Sequence, residues 1–141
     1  MPIRKANAIW RGGLAKGSGT MSLGSGAFSG KYSAGSRFEA NPGTNPEELI
    51  GAAHAGCFSM AFSAILGKNG YTPDSIETEA RVHIEKVGDG FTITRIELDT
   101  AAKIPGIEKE TFTKLANQAK EGCPVSRALA GAQIMLTARL I

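Results

Sequence analysis

The sequence lacks several features that would place it in a familiar class of protein. It has no run of like charges, and 16 Lys and Arg against 13 Asp and Glu leave a net charge of only +3. Dedicated nucleic-acid-binding proteins concentrate basic residues in a patch, so this class is disfavoured. No apolar stretch follows the basic N-terminus, so we expect no secretory signal and a cytoplasmic protein. No Gly-Lys-Ser/Thr follows the glycine-rich turns, which argues against a nucleotide site.

Cysteine is also scarce, since Cys57 and Cys123 are the only two. Without an export signal, a permanent structural disulfide is not expected, which leaves metal binding or thiol chemistry. A zinc site could use both cysteines and both histidines. The cysteines do not form a Cys-x-x-Cys pair, however, and His83 alternates onto the polar face of a predicted strand. Thiol chemistry is therefore the favoured interpretation.

What is present predicts one globular domain over residues 1–141. The length and an apolar content of 42% suit a single domain with a real core. Residues 1–44 are rich in Gly and Ser and predict a meander of short strands. Asn45 and Pro46 are typical of a helix start, and the helix that follows should end near Leu66.

The second half of the chain predicts a hairpin, a helix and a last strand. Alternation over residues 77–98 predicts the hairpin, with a bulge near Thr94 where the apolar residues change face. Helical spacing marks residues 108–120, a short helical turn follows at 124–129, and alternation resumes at 134–140. The order β-β-β-α-β-β-α-β predicts an α+β fold with mostly antiparallel pairing.

The long helix has no charged residue between Leu49 and Leu66. A membrane span needs about 20 predominantly apolar residues, whereas this stretch is full of Ala, Gly and Ser. We therefore predict a central helix that is buried on all sides. One sheet of so short a chain covers only one face of such a helix, so we expect an obligate homodimer with the helix near the interface.

The two cysteines differ in their surroundings. Cys57 lies in the middle of the long helix with His54 at the rim of a small apolar hollow, and taken alone it is typical of a core cysteine. Cys123 lies between Gly122 and Pro124, at the predicted cap of a short helix, where free N–H groups favour a thiolate. We expect this turn to be mobile and accessible. A rigid thiol that becomes a sulfenic acid and a mobile thiol that condenses with it are what a peroxide-reducing pair requires.

The rigid thiol needs a cation, because a cysteine with a pKa of about 8.5 is a poor nucleophile at neutral pH. His54 and Arg37 are the candidates, and an arginine would also hydrogen-bond the peroxide oxygen. Glu47 is the natural acid to hold this arginine. Ten residues of helix place Glu47 about 15 Å from Cys57, so it can act only through the arginine unless the helix bends.

Three segments resemble the OsmC (osmotically inducible protein C) family. Residues 45–61 resemble its signature helix, residues 119–126 its second cysteine segment and residues 35–39 its arginine segment. Their order and spacing match over essentially the whole chain, and His54 favours this branch over the sister group of organic hydroperoxide resistance proteins. The resemblance implies an OsmC-like α+β fold, with antiparallel sheets around a central buried helix, in an intertwined homodimer.

The resemblance also implies a thiol-dependent peroxidase of the oxidative and osmotic stress response, without cofactor or metal. It would reduce organic hydroperoxides, and hydrogen peroxide less well, to alcohols and water. Cys57 would be the peroxidatic thiol and Cys123 the resolving thiol, with Arg37 activating the thiolate and Glu47 orienting the arginine. A dithiol, of the lipoyl type in the sister group, would reduce the Cys57–Cys123 disulfide. The alternative is a non-enzymatic module that binds a hydrophobic ligand and uses its cysteines as redox sensors.

Overall fold

The computed structural model describes all 141 residues, and its elements follow the predicted order with one added helix. The chain divides into two units, residues 1–49 and residues 50–141. The elements are β1 (Ala6–Arg11), β2 (Ser18–Leu23), β3 (Ser29–Tyr32), α1 (Ala34–Phe38), α2 (Pro46–Lys68), β4 (Ser75–Val87), β5 (Gly90–Lys103), α3 (Lys109–Gly122), α4 (Pro124–Ala128) and β6 (Gln133–Leu140). The helix that the sequence did not predict is α1. A single domain over residues 1–141 stays a prediction.

The first unit is built on the predicted meander, an antiparallel sheet in the order β1-β2-β3. The rings of Trp10 and Tyr32 pack with their centroids 5.4 Å apart. Gly19 lies beside both rings, and a Cβ there would overlap them and the carbonyl oxygen of Ile9. The close packing of these strands therefore requires glycine at this position.

The second unit contains a mixed sheet in the order β4-β5-β6. The β4–β5 ladder is antiparallel and shifts by one residue between His83 and Ile84, which leaves Thr94 as the extra residue of β5. This confirms the predicted bulge. Strand β6 pairs with β5 in parallel, so this pair departs from the predicted antiparallel pairing. The parallel direction follows from the crossover through α3 and α4 that connects the two strands.

The core of the second unit forms between this sheet and the helices α2 and α3. Helix α3 buries its predicted face of Phe112, Leu115, Ala116 and Ala119. Phe62 of α2 packs against Phe58 and Phe112, with ring centroids 5.8 and 5.6 Å apart. The aromatic contacts join the two helices inside the core.

Helix α2 is buried on one face and open on the other. The buried face carries Gly51, His54, Phe58, Phe62 and Leu66, and the open face carries Ala52, Ala53, Gly56, Met60, Ser63 and Ala64. By length and composition alone α2 could cross a membrane, but core helices of soluble proteins meet the same criterion. Of the 18-residue window of α2 that meets it, 28% is buried. The prediction of burial on all sides therefore holds for one face within the chain. Cover of the open face by a second copy stays a prediction.

Candidate functional site

Arg37 and Glu47 form a two-pronged ion pair in the first unit. The Nε–H group of Arg37 donates to both carboxylate oxygens of Glu47 at 3.1 and 3.2 Å, and Nη2 donates to Oε1 at 2.7 Å. The Glu47 side chain is only 8% exposed, against 39% for Arg37. A guanidinium carries five N–H donors, so Nη1 and one N–H of Nη2 remain for another ligand. The structure thus places the predicted arginine and the predicted acid in direct contact.

Hydrogen bonds hold the segment that carries Arg37. Ser33 and Ser36 cap helix α1 reciprocally, each side chain accepting from the other's backbone N–H. The Ser36 hydroxyl also donates to the Thr44 carbonyl at 2.7 Å. The amide of Asn45 donates to the Ser36 carbonyl at 3.1 Å, while its oxygen accepts from the Glu48 N–H at 2.8 Å. Asn45 is therefore the predicted cap of α2 and also ties α1 to the start of that helix.

Cys57 and Cys123 lie together in the second unit. Both are free thiols, and their sulfurs are 2.8 Å apart, compared with about 2.05 Å in a disulfide bond. Cys57 lies in the middle of α2, and Cys123 is at once the C-cap of α3 and the N-cap of α4. Cys123 is fully buried whereas Cys57 is partly exposed. The prediction of an accessible Cys123 is therefore wrong, because its sulfur is buried in the second unit against Cys57 of α2.

The surroundings of the two thiols shift their pKa values in opposite directions. Burial raises the pKa of Cys57, and its hydrogen bond with Cys123 raises it further. Burial also opposes a Cys123 thiolate, but interactions with Cys57, with the backbone and side chain of Ser126 and with the backbone of Val125 together lower the pKa of Cys123. The pKa of Cys123 is lowered as its capping position predicts, although α4 makes no side-chain cap hydrogen bond to this sulfur. A positive charge near Cys57 would favour its thiolate.

His54 does not supply that charge. It is fully buried, its Nε2 lies 2.7 Å from the Ser126 hydroxyl oxygen, and burial lowers its pKa. Its ring is therefore neutral at pH 7, and the prediction that it could act as the cation is wrong. Sequence reasoning also missed Ser126 as its partner, although Ser126 lies three residues after Cys123 in the motif itself.

The other histidine lies elsewhere. His83 Nε2 is 2.9 Å from a carboxylate oxygen of Glu97, and both side chains are partly exposed on the sheet of the second unit. The zinc site considered above would need the two cysteines and the two histidines close together. No group of three or more His, Cys, Asp or Glu side chains is placed to hold a metal ion.

Comparison with known proteins gives one consistent set of relatives. A family model described as OsmC-like protein matches residues 38–137. The chain is 50% identical over 127 residues to peroxiredoxin OsmC of Escherichia coli K12, and the match covers 89% of each chain. It is 34% identical over 90 residues to an organic hydroperoxide resistance protein of Xanthomonas axonopodis pv. citri, covering 63% of this chain and 61% of that protein.

Solved structures agree with the sequence matches. The organic hydroperoxide resistance protein OhrB of Bacillus subtilis aligns with a TM-score of 0.69 and 26% identity, over 97% of this chain and 98% of that one. An OsmC-like protein of Vibrio cholerae aligns with a TM-score of 0.78 over 98% of this chain and 99% of that one. At 19% identity the second match shows the fold alone.

Proposed function

The chain belongs to the OsmC family, and on that basis we propose that it is a cysteine-based peroxidase that reduces organic hydroperoxides, and hydrogen peroxide less well, to alcohols and water. The observation that carries this proposal is the pair of free thiols, Cys57 and Cys123, whose sulfurs lie 2.8 Å apart. A thiol that attacks a peroxide needs a second thiol within reach to complete a disulfide. Two of its relatives are named as a peroxiredoxin and an organic hydroperoxide resistance protein.

In the first step the Cys57 thiolate attacks one oxygen of the hydroperoxide. An S–O bond forms, the O–O bond breaks, and the alkoxide takes up a proton to leave as the alcohol, so Cys57 becomes a sulfenic acid. Since its surroundings in the second unit raise the pKa of Cys57, this step calls for a cation. We assign that role to Arg37, with Glu47 as the residue that orients it. The ion pair supports this assignment because it leaves N–H donors for a peroxide oxygen.

In the second step Cys123 attacks the sulfur of the sulfenic acid. The S–S bond forms as the S–O bond breaks, and the hydroxide that leaves takes up a proton to give water. The short distance between the two sulfurs supports this step, because only a small displacement separates them from bonding distance.

A dithiol then reduces the disulfide, and a reductant of the lipoyl type is our proposal for it. Its first thiolate should attack Cys57, which is the partly exposed sulfur, while Cys123 is fully buried. Cys123 then leaves as the thiolate, and a thiol with a lowered pKa is the better leaving group. A second attack within the dithiol frees Cys57 and gives the oxidised, cyclic reductant.

A homodimer is our proposal for the assembly. It is supported by the open face of α2, where apolar and small side chains are left uncovered by the chain itself. We also propose the cytoplasm as the compartment, since free thiols persist in reducing compartments.

A steady-state assay tests the peroxidase proposal. Dihydrolipoyl dithiol and cumene hydroperoxide should be consumed together over many turnovers, and more efficiently than with hydrogen peroxide. Cys57→Ser should abolish the reaction, whereas Cys123→Ser should complete one turnover and stop as the sulfenic acid. Oxidation of one equivalent without turnover, at any dithiol concentration, would instead favour a non-enzymatic redox sensor.

A further inference from the structure

A small aromatic pocket in the first unit has no part in the steps described so far. It has a volume of about 230 Å³, and its walls include Trp10, Leu14, Tyr32, Arg37 and Phe38. All of these residues belong to the unit of residues 1–49. Arg37 is the only charged residue among the walls. The pocket is therefore an apolar space with a single cationic end.

The aromatic walls of the pocket are held by contacts of their own. The rings of Trp10 and Tyr32 are tilted by 57° with their centroids 5.4 Å apart, and they meet across Gly19 of the central strand. The indole Nε1–H of Trp10 donates to the Gly12 carbonyl at 2.9 Å. This bond orients the ring and satisfies its only polar group. Walls that are already fixed lose little conformational entropy when a ligand enters.

The cationic end of the pocket offers hydrogen-bond donors without an excess of charge. Glu47 accepts from the Nε–H group of Arg37 and from one N–H of Nη2, and the ion pair as a whole is neutral. The N–H groups that remain on Arg37 can donate to an oxygen atom of a ligand. The guanidinium carbon lies 5.3 Å from the centroid of the Phe38 ring, so the donors adjoin an aromatic face. Such a site suits an uncharged molecule that carries an oxygen acceptor beside an apolar group.

The size of the pocket limits the apolar group that it can hold. Pockets for drug-sized ligands enclose roughly 300–1,000 Å³, and this pocket is smaller. A single aromatic ring with short substituents suits such a space, whereas a fatty acyl chain would extend beyond it into water. An aromatic ligand also gains from edge-to-face contacts with rings such as Trp10 and Tyr32. Both size and chemistry therefore favour a compact aryl group.

We propose that this pocket receives the organic group of the hydroperoxide and makes the protein selective for uncharged hydroperoxides with one aromatic ring or a compact alkyl group. The proposal rests on the peroxidase function above. The peroxide oxygens lie at the free N–H groups of Arg37, and Trp10, Leu14 and Tyr32 determine the specificity. Hydroperoxides of long acyl chains are the substrates that the pocket disfavours.

The first test measures binding without a reaction. Trp10 is the only tryptophan of the chain, so tryptophan emission reports directly on the pocket wall. Titration with 2-phenyl-2-propanol, the alcohol formed from cumene hydroperoxide, should change this emission to a saturating value. Leu14 is 70% exposed, so Leu14→Ala should fold normally and raise the Kd about fourfold, the effect of losing contact with roughly one methylene group. Leu23→Ala, which removes an exposed leucine outside the pocket, should leave the Kd unchanged.

The second test compares substrates in the steady state with a dihydrolipoyl dithiol. Cumene hydroperoxide should give a higher kcat/KM than the hydroperoxides of linoleic acid and of its methyl ester, and the ester separates chain length from the carboxylate charge. Leu14→Ala should lower the ratio of kcat/KM for cumene hydroperoxide to that for hydrogen peroxide about fourfold, while Leu23→Ala should leave this ratio unchanged. An unchanged ratio in Leu14→Ala, or faster reduction of the methyl ester, would overturn the proposal.

The two tests separate this proposal from the peroxidase function. If the wild type reduces no hydroperoxide, the peroxidase function fails and the assignment of a substrate to the pocket fails with it. If hydroperoxides are reduced but the alcohol gives no saturating change in Trp10 emission, the peroxidase function stands and only the assignment of the pocket is wrong.

Discussion

At the scale of single residues, the two sulfurs lie in different surroundings. The groups around Cys123 lower its pKa, and those around Cys57 raise the pKa of that thiol. A thiol that stays protonated in the absence of a nearby cation is a poor nucleophile and therefore reacts slowly with oxidants. A resolving thiol that ionises readily is a good nucleophile and a good leaving group. Our proposal that Arg37 is the cation for Cys57 rests on this difference.

The ion pair of Arg37 should control the first chemical step. Arg37→Lys should slow sulfenic acid formation at Cys57 by about a hundredfold, because lysine cannot offer the same fork of donors. Glu47→Gln should slow it less, since an amide oxygen can still accept from the guanidinium. Stopped-flow measurement with cumene hydroperoxide gives both rates. Arg139→Lys, on the exposed face of β6, is the control, and equal rates in the Arg37 and Arg139 variants would contradict the role of Arg37.

The burial of His54 should appear in the pH dependence of stability. An unfolded histidine takes up a proton near pH 6.5, whereas burial holds the folded pKa lower, so on acidification the unfolded state binds the proton first. The free energy of unfolding should therefore fall as pH drops below about 6.5. Urea unfolding at about pH 7.5 and about pH 5.5 measures this slope. In His54→Gln the slope should be reduced, and an identical slope in the variant would show that another group causes it.

Much of the site was predictable at this scale, and the rest depended on packing. The residue types and order around Cys57 and Cys123 indicated a thiol pair, and the acidic Glu47 indicated a partner for Arg37. The neutrality of His54 and the enclosure of Cys123 could not be predicted, because both follow from which distant residues cover a side chain in the folded chain.

At the scale of helices and strands, regular patterns were predictive and short or long-range features were not. The helical spacing of apolar residues predicted α3. The point near Thr94 where the apolar residues change face predicted the bulge in β5. Helix α1 has five residues, too few to show a period. The parallel pairing of β6 with β5 depends on the crossover path of the chain, and alternation within a strand does not reveal the direction of its neighbour.

The contact of α2 with α3 should dominate the stability of the core. Phe62 is fully buried between Phe58 and Phe112. Phe62→Ala should lower the free energy of unfolding by about 3–5 kcal/mol, through lost burial and the cavity left behind. Phe62→Leu should lower it by clearly less, because leucine fills more of the same space. Urea unfolding compares them, and equal losses would mean that the core closes around the missing ring.

At the scale of the whole molecule, the sequence predicted more burial for α2 than one chain provides. Its apolar composition indicated cover on all sides, and within the chain one face remains open. A second copy of the chain is the simplest cover for a face made of small and apolar side chains. The uncovered apolar residues of α2 therefore support the proposed dimer.

A charge on the open face of α2 should separate the copies. Met60 is 77% exposed in the single chain, so Met60→Glu should leave the fold of the monomer intact. Sedimentation should give the wild type twice the 14.7 kDa mass of one chain, and the variant the mass of one chain. Val87→Glu, which places the same charge at an exposed hairpin end, should remain a dimer. A monomeric wild type, or a dimeric Met60→Glu, would contradict the proposed assembly.

The most direct test of the peroxidase account is the mass of the protein after one equivalent of cumene hydroperoxide. We expect the intact chain to lose the mass of two hydrogen atoms and peptide mapping to find one linked pair, Cys57 with Cys123. Unreacted thiols, or a Cys57 that gains oxygen while Cys123 stays reduced, would contradict it.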